Sequence, residues 1–446
     1  MHEQRNDAGT SLTGAQAHFA LAVFLLAYVL SFVDRQILSL MVDPIRRDLG
    51  ISDLQIGLLQ GAAFALLYAM LGVPIGMLAD RLVRKRIIAL GVAFWSVATG
   101  LCGFAGSYTT LFLARMGVGL GEAALSPTAH SFLSDAFPPA RLARAMAIYS
   151  LGITLGGGAA FMIGGSVIDL VARSGATTLP LLGTLKSWQL AFLIVALPGL
   201  LIAPLVMLVT EPRRRGAVLA PDLGPDRPTL ATVLRYVTSN WRAFAPIYFT
   251  SSLLGILGYS MMSWYPTLLI RSFGLSPGEA GHYVGLIYLL LGSAGSITGG
   301  LLAERLAARG RHDANLRVVA IVSGAVVLPA VAAPLMDSLP AMLLFFAPAT
   351  FLQSGFFGAS TAAIQLTTPN KMRATNAALF LLANNLIGLS LGAAIVPLID
   401  HLFFGGNNLG AALAVIAGAV CPLSLMLACW GLTPYRALVV HNMTTS

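Results

Sequence analysis

The sequence predicts an all-α polytopic membrane protein, with twelve transmembrane helices in two pseudo-symmetric six-helix bundles. Three observations carry this prediction. The 446 residues are 57% hydrophobic and only 10% charged, too little charge to cover a soluble domain of that length. Apolar runs of about 20 residues recur almost end to end, the length that crosses a bilayer as a helix. Short motifs recur at one fixed offset between the two halves of the chain. The runs do not alternate polar and apolar residues, which excludes a β-barrel.

Taken in order, the predicted spans are 18–42, 54–78, 87–106, 109–133, 145–171 and 188–209, then 243–270, 279–303, 317–336, 340–367, 375–401 and 409–432. The longest polar interval, 211–241, is rich in Pro, Arg and Asp and separates six spans from six. The chain therefore divides into a tail (1–17), a first bundle (18–210), a linker (211–242), a second bundle (243–432) and a tail (433–446).

The net charge of +9 is not gathered on one domain, so it points to topology and not to nucleic acid. The face holding the termini collects about twenty basic residues, among them Arg84, Lys85, Arg141, the Arg213–Arg215 run, Arg309, Arg311, Arg317 and Lys371. The opposite face holds Arg46, Arg47, Arg173, Lys186 and Arg271. Both termini are expected in the cytoplasm, with the protein multi-pass in the inner membrane. Cys102, Cys421 and Cys429 lie in apolar runs and read as small hydrophobes, without a disulfide. The polar N-terminus lacks the h-region of a secretory signal. The sequon at Asn442 falls on the cytoplasmic side and is discounted.

The halves are repeats. Arg47, Gly50, Ser52 and Gly57 return 224 residues later as Arg271, Gly274, Ser276 and Gly281, and GMLADR (76–81) returns as GLLAER (300–305). An even number of spans per half makes the repeat parallel, about an axis along the membrane normal.

Gly76, Asp80 and Arg81, followed by Lys85 and Arg86, resemble the loop 2–3 signature of the major facilitator superfamily, with Val83 where glycine is usual. The resemblance covers the whole chain. Within that superfamily the first half is similar to spinster-type lipid transporters, through Phe32-Val33-Asp34-Arg35, Ala93-Phe94-Trp95-Ser96 and the run Arg115 to Ala123. That closer likeness is strong over 30–165, and the second half adds little to it.

Four charges lie deep in spans: Asp34 and Arg35 in the first, Arg115 and Glu122 in the fourth. Seven residues separate Arg115 from Glu122, which puts them on one helix face roughly 10 Å apart. Each costs at least about 2.5–3.5 kcal/mol at mid-membrane, so each must face a partner or water. Matched depths predict an Asp34–Arg115 pair, with Arg35 reaching the deeper Glu122. Static packing pairs would serve less well than apolar residues, so the expectation is functional: Asp34 and Glu122 as protonation sites, Arg35 and Arg115 as counter-ions or anion ligands. The spinster resemblance implies proton coupling and substrate binding at the same positions.

A gating set is expected on the cytoplasmic face. Asp80 would face the N-terminus of a helix in the other half, and the resemblance implies the eleventh span, beyond Lys371 and Arg373. Asp135 would pair with Arg81 or Arg86, and Glu304 and Arg305 would repeat the arrangement near Arg144. The second half has no deep charge. It offers Gln353 as a substrate ligand, Asn384 and Asn385 as substrate ligands or interhelical glue, and Tyr259, Trp264, Tyr288 and Phe356 as an aromatic surface for substrate. Charge in one half and aromatics in the other suit an amphiphile.

Most glycines in 152–165 and at 388 and 392 read as close-packing positions. GVGLGE in the fourth span has no preceding strand and is not a nucleotide fingerprint. His130 and His401 read as structural. With no catalytic constellation, zinc spacing or phosphate loop, an enzyme is not expected, nor a cofactor beyond a coupling proton. The expectation is a monomeric, proton-coupled transporter among membrane lipids, moving a lysophospholipid or sphingosine-phosphate-like lipid by rocker-switch alternating access. A small organic anion is the alternative substrate. An uncoupled scramblase or membrane sensor is the alternative of another class.

Overall fold

The computed structural model describes residues 12–79, 82–174, 177–179, 183–214, 229–369 and 372–445. Asp80, Arg81, Lys371 and most of the linker fall outside the described residues. Among the described residues eleven helices are long and apolar enough to cross a membrane. The first half contributes α1 (Gly14–Leu40), α2 (Asp53–Gln60, resuming as Ala62–Ala79), α3 (Arg84–Cys102), α4 (Tyr108–Glu122, resuming as Leu125–Ala136), α5 (Pro139–Ser174) and α6 (Ser187–Met207). The second contributes α7 (Trp241–Phe273), α8 (Pro277–Ala308), α9 (Ala314–Leu335), α10 (Leu339–Thr367), α11 (Thr375–Phe404) and α12 (Leu409–Thr445).

The fourth span is not one continuous helix. It breaks at Ala123–Ala124, and neither piece alone is long enough to cross. Pro127 explains the break, because it has no N–H to offer the carbonyl of Ala123 and its ring crowds that position. Glu122 is thereby left at a helix end. A small antiparallel hairpin, β1 (Thr177–Leu179) and β2 (Gly183–Leu185), joins α5 to α6. A short helix, Val42–Leu49, joins α1 to α2 on the face away from the termini, hereafter the distal face.

The repeated residues have matching jobs. Gly50 and Gly274 both close helices in the left-handed conformation, at φ 63° and 67°, where a side chain would strain the turn. Ser52 and Ser276 then start the next helices through capping boxes with Gln55 and Glu279. Gly57 and Gly281 form the seams between halves. A Cβ on Gly57 would lie 2.5 Å from the carbonyl oxygen of Ala393 in α11, and one on Gly281 would press on the Phe161 carbonyl in α5. Gly158 and Gly285 extend the α5–α8 seam, and Gly61 extends the α2–α11 seam. Gly388 and Gly392 instead pack α11 on α7.

Valine at Gly57 or Gly281 is expected to wedge its seam apart, an overpacking cost of about 1–3 kcal/mol. Reduced uptake with normal membrane expression would report it, and the two variants should behave alike.

Each C-terminal seam helix also carries a π turn, Tyr288–Gly292 in α8 and Asn385–Leu389 in α11. Such turns cost helix geometry and collect at functional sites. Between described residues, the hydrogen bonds that cross from half to half lie toward the distal face. Arg271 binds Asp43 and Asp53, Asp169 caps the start of α8 through Ser276 and Gly278, and Thr267 donates to the Ser39 carbonyl.

Candidate functional site

α1 ends by tightening into a 3-10 turn, Ile37–Leu40, and this positions both of its charges. Arg35 donates through Nε to Glu122 Oε2 at 2.6 Å, and its Nη2 engages the same oxygen. The guanidinium lies against three rings, with centroids at 5.0 Å (Phe32), 4.6 Å (Phe64) and 5.3 Å (Tyr68). This cage holds a cation where water is scarce. Arg35 keeps 15% side-chain exposure against 0% for Glu122, and Glu122 Oε1 has no protein hydrogen bond.

The expected Asp34–Arg115 ion pair does not form. Arg115, only 1% exposed, donates from Nη1 to the main-chain carbonyl of Asp34 at 2.9 Å, and its Nε faces the Leu59 carbonyl at 3.5 Å. Both carbonyls belong to last turns, one where α1 tightens and one before the break in α2. Those turns leave acceptors without intrahelical donors and carry the negative end of the helix dipole. Depth matching brought the residues together, but the helix ends compete for the cation and win. The Asp34 carboxyl lies beside Thr99 and Trp95 of α3, and its Oδ1 lacks a hydrogen-bond partner. Arg115 is thus a buried strut. Arg115→Leu is expected to lower the melting temperature by several degrees at any pH, whereas the loss in Arg35→Gln, which strands Glu122, should shrink on acidification as Glu122 takes up a proton; thermal melts in detergent at two pH values distinguish them.

Beside the Arg35 head group is a small cavity of about 20 Å³, room for about one water molecule. Phe32, Arg35, Gln36 and Ser39 of α1 face Gln60 and Phe64 of α2 across it, and Tyr259, Ser263 and Leu389 close the C-terminal side. Gln60 and Phe64, with Tyr68, are spaced i, i+4, i+8, one face of α2. That spacing was the signal that could have found Gln60.

The C-terminal candidates separate. Tyr259 lines the cavity. Trp264 is wholly buried and ties α7 to α11 through Nε1 to the Ala393 carbonyl at 2.7 Å. Gln353 donates to the Leu254 carbonyl. Tyr288 packs against Phe161 and Phe346, and Phe356 is buried in the second bundle's core. Asn384 is buried with Oδ1 unbonded, while half-buried Asn385 begins the π turn. The expected division into a charged half and an aromatic half therefore fails. Aromatic rings surround the charge itself, and Tyr28 stacks on Tyr149 at 5.0 Å in the same half.

The gating residues also differ from expectation. Asp135 is bonded by Arg84 at 2.5 Å, and Arg84 also takes Glu211 and the Ser131 carbonyl; of the two expected partners Arg86 is exposed, and Arg81 lies outside the described residues. Arg84 begins α3 with its stem buried. Gly76 packs near Pro127. Arg144, Glu304 and Arg305 are exposed, and between described residues no ion pair joins them. Arg373 donates to the Thr368 carbonyl. Among the described residues the charged contact between halves is distal: Arg271 holds Asp43 Oδ1 at 2.7 Å and Asp53 Oδ2 at 2.8 Å, with Arg46 also on Asp53 at 3.1 Å.

Two helix bundles meeting at glycine seams, with a small polar cavity between them and an ion pair of the first bundle at its edge, define an integral membrane transporter and not an enzyme. The chain belongs to the Major Facilitator Superfamily, whose model matches residues 24–393. It is 30% identical over 415 residues to an MFS-type efflux pump of Mycolicibacterium smegmatis, covering 91% of this chain and 90% of that one. It is 24% identical over 432 residues to a probable galactarate/D-glucarate transporter of Bacillus subtilis, covering 89% and 90%. Among solved structures, a bacterial homolog of the human lysosomal transporter Spinster, in an inward-facing and unoccupied conformation, superposes with a TM-score of 0.76. That pair is 28% identical over 97% of this chain and 96% of the other.

Proposed function

We propose that this chain is a proton-coupled secondary transporter of an anionic amphiphile, a lysophospholipid or sphingosine-phosphate-like lipid, working by alternating access in the inner membrane. The observation that carries the reading is the Arg35–Glu122 pair. Of the four deep charges, Arg35 alone lines the cavity, and it is already neutralised. A substrate anion can take Arg35 only if Glu122 gives it up, and protonating Glu122 removes the competing charge. Proton and anion then bind together, which makes the coupling symport. Asp34 is a second proton site in this scheme, beside the ring cage that receives the apolar part of the substrate.

The basic residues on the terminal face support cytoplasmic termini. The distal lock then closes the periplasmic side, and the Spinster-homolog likeness supports an inward-facing state. A small organic anion is the second reading. It is favoured by the narrow cavity, which has no room for an acyl chain in this state, and by the sugar-acid relative.

Proteoliposomes with an imposed pH gradient test both readings, comparing a lysophosphatidate with glucarate. Accumulation that follows the gradient for either anion supports proton coupling and picks the substrate. Equal distribution of both at every gradient rules the coupling out.

A further inference from the structure

The Arg35–Glu122 pair leaves Gln60 unexplained. Gln60 ends the first segment of α2, one residue before Gly61, where the helix breaks against the Leu389 and Ser390 carbonyls of α11. It is 7% exposed, it lines the cavity that Arg35 lines, and neither its amide nitrogen nor its amide oxygen has a hydrogen-bond partner. Leaving one buried polar atom unpaired costs about 1–3 kcal/mol, and here one side chain leaves two. An apolar residue would fill the position at less cost. Opposite stands Leu389, the last residue of the α11 π turn, a distortion of the kind that marks functional positions.

We infer that Gln60 is a specificity residue whose carboxamide receives a hydroxyl group adjacent to the anionic group held by Arg35. A carboxamide presents a donor and an acceptor side by side, and a hydroxyl is the small group that answers both. The free space fits that size, since it admits about one water-sized group. Ser263 and Gln36 complete a polar wall, and among the described residues no second charge faces the cavity to hold a second anionic group. The ligand chemistry is therefore a hydroxyl-bearing anion. It has two sources: a hydroxy acid, or a lysophosphatidate whose free glycerol hydroxyl lies near its phosphate. The inference rests on the proposed anion transport and refines it.

The test compares proton-driven uptake of two matched pairs in proteoliposomes of the intact protein: 2-hydroxyhexanoate against hexanoate, and 1-oleoyl lysophosphatidate against its 2-deoxy analogue. A site built around a hydroxyl rejects the analogue lacking it far more strongly than an apolar site does. The wild type is expected to prefer the hydroxylated member of one pair by at least about tenfold, and the pair that shows it identifies the source. Gln60→Leu and Gln60→Met are expected to bring that ratio close to one. Uptake without preference in the wild type, or a preference kept in both variants, overturns the role of Gln60 and leaves anion transport standing. Uptake of none of the four anions overturns the transport reading and this inference with it. The wild-type ratio alone decides if both variants misfold.

Discussion

Glu122→Gln is expected to abolish accumulation of substrate against its gradient while leaving exchange across the membrane intact. One pH unit is worth about 1.4 kcal/mol per proton, so a carrier moving one proton per anion concentrates its substrate about tenfold. Glutamine preserves the size of the side chain at the end of the first α4 segment and can still accept from Arg35. It cannot release a proton, and it no longer competes as an anion for the guanidinium. Arg35 in this variant binds the substrate anion at any pH, so the accumulation ratio should fall from about ten to one. Counterflow of labelled against unlabelled substrate should persist, which separates loss of coupling from loss of folding. A variant that still accumulates tenfold would remove Glu122 from the coupling. Arg35→Gln makes the complementary case: it should lose both accumulation and counterflow, because the cavity then has no cation.

The pairing of Arg35 with Glu122 was legible in the sequence because two expensive charges at comparable depth in neighbouring spans leave few alternatives. The same reasoning failed for Asp34 and Arg115. Depth along a helix says nothing about main-chain acceptors, and those became available only because α1 tightens and α2 breaks at Gly61. The repeat was legible for a similar reason. Gly50, Ser52 and Gly57 each perform a backbone task that few residues can perform, so a second copy at a fixed offset had to carry the same geometry. The aromatic residues carried less information, since a ring in a span serves packing as readily as a cavity wall. Trp264 and Phe356 did the first, while Phe64 and Tyr259 did the second. The distal lock was hidden because Asp43 and Asp53 stand in a short connection of ordinary polar composition. Their partner Arg271 lies more than two hundred residues away, and only the closing of one half on the other brings them together.

Replacing Arg271 should have the largest effect on which face opens. Its guanidinium is shared by two carboxylates from the opposite half, with five nitrogen–oxygen contacts between 2.7 and 3.3 Å. Charge-assisted bonds of this kind contribute about 1.5–3 kcal/mol each at most, and partial exposure at the distal face reduces that. A net loss of about 1–3 kcal/mol shifts a two-state equilibrium by about 5–150-fold. In Arg271→Gln, Asp43 and Asp53 keep only Arg46, a cation of their own half, so no charged contact is left to draw the second half onto them. The outward-open state should therefore gain population without any change at Arg35 or Glu122. A cysteine at Ser263, which lines the cavity, in a Cys429→Ser background reports this through its labelling rate with an impermeant maleimide added from the distal side. Arg271→Gln should raise that rate at least about fivefold, and 1 M salt should raise the wild-type rate in the same direction, because the lock is partly exposed and screened. Equal rates with and without Arg271 would mean that the glycine seams alone keep the distal face closed.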